Sequence, residues 1–103
     1  MKGQKGEDLA AIYLRGKGYE ILEKNKRFSR AEVDLICRIG EEIVFVEVKT
    51  RSTDYFGYPE ESVSKAKQKM LAQAAEAYIE ENAFKGELRY DIVSIIIKDN
   101  QQR

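Results

Sequence analysis

Residues 31–51 read Ala-Glu-Val-Asp-Leu-Ile-Cys-Arg-Ile-Gly-Glu-Glu-Ile-Val-Phe-Val-Glu-Val-Lys-Thr-Arg, and the fold turns on how this stretch pairs with itself. Its second half is almost all β-branched or aromatic (Ile43, Val44, Phe45, Val46, Val48) yet carries Glu47 and Lys49. That is a strand with two charges that need a reason. Gly40-Glu41 has glycine first, the pattern of a two-residue type II′ hairpin loop. Such a loop sets Ile39 opposite Glu42, Asp34 opposite Glu47, and Glu32 opposite Lys49. Opposed side chains have Cβ atoms about 4.5–5.5 Å apart. Glu47 and Lys49 are two residues apart and share a face, so Asp34, Glu47 and Lys49 converge on one side of the sheet. Facing like charges destabilise a strand pair, and a divalent cation between them reverses that sign. The other face, Val33, Leu35, Cys37, Val44, Val46 and Val48, is continuously apolar and is expected to pack on a helix. Cys37 fits there as a small buried hydrophobe.

The whole chain narrows the chemistry. Its 103 residues suit a single domain, 1–103, with one core. A hydrophobic fraction of 43% with 10% aromatic is that of a folded protein rather than a disordered one. No run approaches the length of a membrane span, and residues 1–7 lack an apolar signal core, so a cytoplasmic location and no membrane partner are expected. One cysteine excludes an internal disulfide and a cysteine-based zinc cage. The absence of histidine excludes Ser-His-Asp and Cys-His catalysis and every histidine-ligated metal site. A metal here needs oxygen ligands, which points to Mg²⁺ or Mn²⁺. Net charge is zero but unevenly spread: residues 1–30 carry eight Lys/Arg against four Asp/Glu, and residues 31–62 carry three against eight. The case for a nucleic-acid partner is therefore regional, an acidic centre flanked by basic segments.

Around the hairpin, periodicity supplies the remaining elements. Residues 4–17 read as an amphipathic helix with Leu9, Ala10, Tyr13 and Leu14 inward, ended by Gly16 or Gly18. Glu7 shares the inward face of Ala10 and Leu14, where a carboxylate is unusual; a first-turn glutamate favouring the helix dipole is the plain alternative. Residues 19–28 read as a strand that ends basic, Lys24-Asn25-Lys26-Arg27-Phe28-Ser29-Arg30. Lys26 and Arg27 there are candidates to hold phosphates, with Phe28 available for stacking, against the plainer reading of a solvated strand end. Residues 51–62 form the longest loop, with three aromatics, and Arg51 leaves the strand beside the proposed site. Residues 64–82 read as the longest helix, capped by Ser62 or Ser64, with Ala66, Met70, Leu71, Ala74, Ala77 and Tyr78 as its apolar stripe. Lys65, Lys67 and Lys69 crowd its start, against the dipole. Residues 88–98, apolar on both faces, are expected to form an interior parallel strand, reached by a right-handed crossover. The fold class is α/β, in the order α-β-β-β-α-β, with a mixed central sheet flanked by helices.

At this point the residues resemble something specific. Asp34, then Glu47-Val48-Lys49 after twelve intervening residues, resembles the PD-(D/E)xK nuclease signature, with Val33 in place of its proline. Gly6-Glu7-Asp8-Leu9-Ala10, Tyr13-Leu14, Gly18-Tyr19, Asn25, Glu32-Val33-Asp34-Leu35-Ile36, Val44 through Arg51, Phe56-Gly57, Lys67 and Tyr90-Asp91-Ile92-Val93 match the YraN-like family of uncharacterised bacterial proteins. The similarity covers nearly the whole chain. One departure is Ala31, where that family usually has glycine.

The resemblance implies a restriction-endonuclease-like fold similar to archaeal Holliday junction resolvases. It implies that Asp34 and Glu47 bind Mg²⁺ with the Val48 carbonyl, that Lys49 serves the attacking water, and that Glu7 completes the metal site. Carboxylates beside Lys49 favour its charged form, so its expected role is to orient water and neutralise charge. Arg51 and Lys67, with Lys26 and Arg27, are second-rank candidates for phosphate contacts. The leading expectation is a metal-dependent endonuclease on DNA, branched or otherwise structured. The alternatives are a catalytically inactive nucleic-acid-binding module on the same fold, and a structural Glu47–Lys49 ion pair. A homodimer enters by analogy with junction-cleaving relatives.

Overall fold

A computed structural model describes the backbone of residues 2–29, 31–52 and 65–97. The order is α1 (Lys2–Gly16), β1 (Glu20–Phe28), β2 (Ala31–Ile39), β3 (Glu42–Ser52), α2 (Lys65–Asn82) and β4 (Glu87–Ile97). The four strands form one mixed sheet in the order β1-β2-β3-β4, antiparallel through β3 and then parallel between β3 and β4. This is the expected α/β layout. The 53–64 segment, with the loop aromatics and the Ser62 or Ser64 cap, lies outside the described residues.

The sequence accounts for the joints. In the β2–β3 turn Gly40 has φ +60° and Glu41 does not share a positive φ. That is the type II′ requirement and not the type I′ one, and Ile39 does face Glu42. Helix α1 stops at Gly18, whose φ of +95° closes the chain back on itself. There the Tyr19 N–H donates to the Leu14 carbonyl at 3.0 Å and the Gly18 N–H to the Arg15 carbonyl at 3.0 Å, the paired bonds of a Schellman stop.

Each sheet face has its own core. On one side Ala10 and Leu14 of α1 cover Leu35, Cys37, Val44 and Val46. On the other, Leu71, Ala74 and Tyr78 of α2 cover Phe28, Val33, Ile36, Ile43 and Phe45. Phe28, Phe45 and Tyr78 form an aromatic trio with ring centroids 5.8–6.4 Å apart. These burials supply most of the driving force, on the order of 1.5–3 kcal/mol for each large apolar side chain.

Several expectations are corrected. Helix α1 buries Ala10, Ala11 and Leu14 but leaves Leu9, Ile12 and Tyr13 exposed, because its contact is made through the smallest residues, which bring it close to the sheet. Ala66 of α2 is exposed, because the buried stripe of that helix runs through Leu71, Ala74 and Tyr78. Strand β4 is parallel but stands at the sheet edge, not in its interior. Its residues are apolar on both sides because both helix layers reach it: Val93 and Ile95 join the α1 core, Leu88 and Tyr90 the α2 core. Phe28 is buried rather than available for stacking.

Helix α1 is seated at one close contact. A Cβ placed on Gly6 would lie 2.1 Å from Thr50 Oγ1 on β3, and a β-branched threonine has little rotamer freedom to yield. Gly6→Ala is therefore expected to lift the first turn of α1 and destabilise the domain by about 1–3 kcal/mol, read as a lowered urea midpoint at unchanged m.

Candidate metal centre at the parting of two strands

Strands β2 and β3 pair in regular antiparallel register from Ile39–Glu42 to Leu35–Val46, and the described ladder ends there. Asp34 therefore does not oppose Glu47 as a ladder pair, nor Glu32 Lys49. Instead the Val48 N–H donates to Asp34 Oδ2 at 2.8 Å. A side-chain carboxylate takes the place of a main-chain carbonyl, and β2 and β3 part at that point.

The cause lies one strand away. Strict alternation would put Val33 with Leu35, but Val33 packs under α2 and Leu35 under α1. The opposite strand does the same: Lys24 pairs with Asp8 of α1, and Lys26 with Glu81 of α2. Lys24 faces Leu35 and Lys26 faces Val33, so the register is kept across the interruption. At this interruption each strand carries one extra residue, Asn25 on β1 and Asp34 on β2, separate from the register shift between Ile21 and Glu23. Asn25 has φ +52°, a conformation that asparagine tolerates far better than a β-branched residue. The apolar face expected from Val33 through Val48 is corrected accordingly: Val33 belongs to the other layer.

The site residues form a chain of neighbours. Glu7, on α1, lies near the Asn25 side chain and feels the Asp34 charge. Burial raises its carboxyl, the Asn25 amide partly offsets this, and the nearby carboxylates Asp34, Glu32 and Asp8 raise it further. Asp34 is likewise raised, first by burial and then by the Glu47 and Glu32 charges, against the Val48 N–H. Glu47 is different. Burial alone would raise it, but hydrogen bonds from Tyr90, Lys49 and Lys67 outweigh that and hold it down to about 2. Lys49 Nζ lies 3.0 Å from Glu47 Oε2. Lys67 Nζ lies 3.1 Å from each Glu47 oxygen. The Tyr90 hydroxyl donates to Oε1, and that bond to an anion, with burial, raises the phenol.

The structure thus brings Asp34, Glu47, Lys49 and Lys67 together and sets Glu7 on the α1 side of Asp34. Among the described residues no group of three His, Cys, Asp or Glu side chains is close enough to hold a metal ion. Lys26 is engaged with Glu23 at 3.7 Å and Glu81 at 3.9 Å and lies over the Phe28 ring. Arg27 is exposed beside a cleft that runs along α2 past Gln73 and Ala77. Of Arg51 only the backbone is described, facing Ile96 of β4. Reasoning from sequence missed Asn25 and Tyr90 as parts of the site. Asn25 carried a signal, a strand-averse residue within a strand. Tyr90 carried only its place in the family-matching stretch 90–93, because its position beside Glu47 depends on the parallel β3–β4 register.

An α/β domain with a helix on each face of a mixed sheet, and a carboxylate–lysine cluster where two central strands part, is the class of protein these features define. Within that class the chain belongs to the uncharacterised protein family UPF0102, whose sequence profile matches residues 6–95. It is 48% identical over 94 residues to a UPF0102 protein of Christiangramia forsetii, covering 91% of this chain and 79% of that one. It is 46% identical over 99 residues to one of Syntrophomonas wolfei, covering 95% and 86%. A UPF0102 protein of Clostridioides difficile is 43% identical over 101 residues, covering 97% and 89%. No helix among the described residues is long and apolar enough to cross a membrane.

The opposite shifts of the two central carboxylates give opposite mutational signs. Glu47→Gln removes a charge served by three donors and is expected to lower the unfolding free energy at pH 7 by about 1–3 kcal/mol. Glu47 titrates at about 2 against an ordinary 4.5. Its contribution is therefore complete above the ordinary value and lost as pH falls towards the lower one, and urea melts of variant and wild type should converge there. Asp34→Asn keeps an oxygen for the Val48 N–H and removes a charge that folding disfavours. It is expected to raise the urea midpoint at pH 7, with the gain shrinking as acid protonates the wild-type carboxyl.

Proposed function

We propose that this domain is a divalent-metal-dependent endonuclease of the PD-(D/E)xK kind that hydrolyses phosphodiester bonds of DNA, branched or otherwise structured. The observation that carries this reading is the Asp34–Val48 bond. It holds a carboxylate at the strand margin, where burial and neighbouring charge oppose its ionisation, within range of a second carboxylate and a lysine. The resemblance to the nuclease signature supports the same assignment of roles.

The donor set suits a hard cation. Mg²⁺ or Mn²⁺ takes one or two carboxylates and keeps several waters, and Asp34 and Glu47 supply that number. Val48 turns its N–H towards β2, and in an extended strand the carbonyl of the same residue shares that edge. Glu7 contributes charge beside Asp34 rather than beside Glu47. When bound, the cation would acidify a coordinated water and offset charge on the phosphoryl oxygens. Lys49, held by Glu47, orients the attacking water and neutralises developing charge. Tyr90 fixes the Glu47 carboxylate from β4. Lys67 is the phosphate contact at the site, with Arg51, two residues past Lys49 on β3, and Arg27 and Lys26 on β1 as further candidates.

A second reading, a nucleic-acid-binding module without catalysis, is favoured by the saturation of Glu47 with donors from Lys49, Lys67 and Tyr90. The homodimer carried by the resemblance has one physical support: no strand among the described residues pairs with the outer edge of β4, and such edges invite pairing.

One assay separates these readings. With Mg²⁺ or Mn²⁺, the wild type is expected to nick at least one member of a panel of junction, flap and duplex DNA, and Asp34→Ala and Lys49→Ala to fall to the metal-free background. Intact DNA across the panel with metal bound would favour the binding module. Absence of metal binding by calorimetry both with and without DNA would return the cluster to a structural ion pair.

A further inference from the structure

Glu47 is surrounded by three donors that are not equivalent. Lys49 is two residues along the same strand, and Tyr90 stands on the neighbouring strand β4, so both are fixed by the sheet. Lys67 reaches over from α2 and spans both Glu47 oxygens at 3.1 Å. Its side chain is 41% exposed while that of Glu47 is 15% exposed. A partly solvated ammonium on a flexible stem forms a weak, exchangeable ion pair. Lys49 and Lys67 are the ammonium groups that hold Glu47, while Glu7 and Glu32 add negative charge beside Asp34. A dication seated on Glu47 has to compete with those two ammonium groups for its oxygens, and Lys67 is the one that reaches in from outside the sheet.

We propose that Lys67 is the resident counter-ion of Glu47, that a divalent cation must displace it, and that the displaced ammonium passes to a phosphate of the bound nucleic acid. This rests on the metal-site reading above and adds a consequence for it: cation and polyanion bind cooperatively, each making room for the other. In the absence of nucleic acid, Lys67 keeps the site closed to metal. With nucleic acid present, the phosphate competes for the same ammonium and relieves both Glu47 oxygens of it, leaving one donor on each, Lys49 and Tyr90. Coupling of this kind is reciprocal by thermodynamic necessity. Lys67 is thus a positioning residue for metal occupancy as well as a phosphate contact.

The test is Mn²⁺ binding by titration calorimetry on the full chain, with and without a phosphorothioate DNA oligonucleotide that resists cleavage. Lys67→Met is expected to bind Mn²⁺ at least about tenfold more tightly than the wild type without DNA, and to lose the gain in Mn²⁺ affinity that DNA confers on the wild type. Lys69→Met, which removes an exposed charge from the same helix, controls for long-range electrostatics and is expected to change Mn²⁺ affinity much less. Equal Mn²⁺ affinity in the wild type and Lys67→Met, or an equal gain in Lys67→Met and Lys69→Met, overturns the counter-ion role and leaves the metal site standing. No Mn²⁺ binding by either protein under any condition, or Mn²⁺ binding unaltered in Asp34→Ala, overturns the metal site and the counter-ion role together.

Discussion

The bond from the Val48 N–H to Asp34 Oδ2 sets the terms for the rest of the molecule. A buried main-chain donor must find an acceptor. Here it finds a carboxylate, which keeps the sheet intact where its ladder stops. The arrangement meets two demands at once. It satisfies the backbone where β2 and β3 part, and it fixes a carboxylate at the sheet margin beside Glu47. One Asp34 oxygen is engaged by the fold, and the carboxylate stands within range of the Glu47 charge. The two helix layers make this tolerable by excluding water from both faces of the strands while leaving the margin itself half-buried.

The electrostatics then sort the two carboxylates into different roles. Glu47 is a strongly stabilised anion, held by donors from three separate elements, so it ties β3, β4 and α2 together. Asp34 carries its charge against burial and against its neighbours. A cluster in which one acid is over-compensated and the next is under-compensated is poised for redistribution of charge, and clusters of perturbed groups are where function concentrates. Tyr90, which the chemistry of hydrolysis does not itself require, matters here because it fixes the more stable of the two.

Much of this was legible in the sequence, for identifiable reasons. The hairpin register followed from Gly40 and the β-branched run, and the helix ends from glycine and hydrophobic period. The pairing of Asp34 with Glu47 was right about proximity and wrong about mechanism. Strict alternation through Asp34 predicts a facing that a matched interruption on two strands reverses while leaving the register unchanged. An apolar run on both faces suggests neighbours on both sides, and helices above and below β4 at the sheet edge produce the same pattern. Lys67 could be picked as basic and near, but its grip on Glu47 depends on the angle at which α2 crosses the sheet, which no local pattern encodes.

The extra residues Asn25 and Asp34 separate the scaffold from its chemistry. Without both of them, Lys24 would be followed directly by Lys26 and Val33 by Leu35, and each of these pairs already alternates correctly between the α1 and α2 layers. The β1–β2 ladder would then run without a break beyond the register shift between Ile21 and Glu23. In topological terms one facing pair has been spliced into that hairpin. What the splice adds is a carboxylate on β2 that accepts from the Val48 N–H, so the one interruption shared by both strands is also the place on which the proposed site depends.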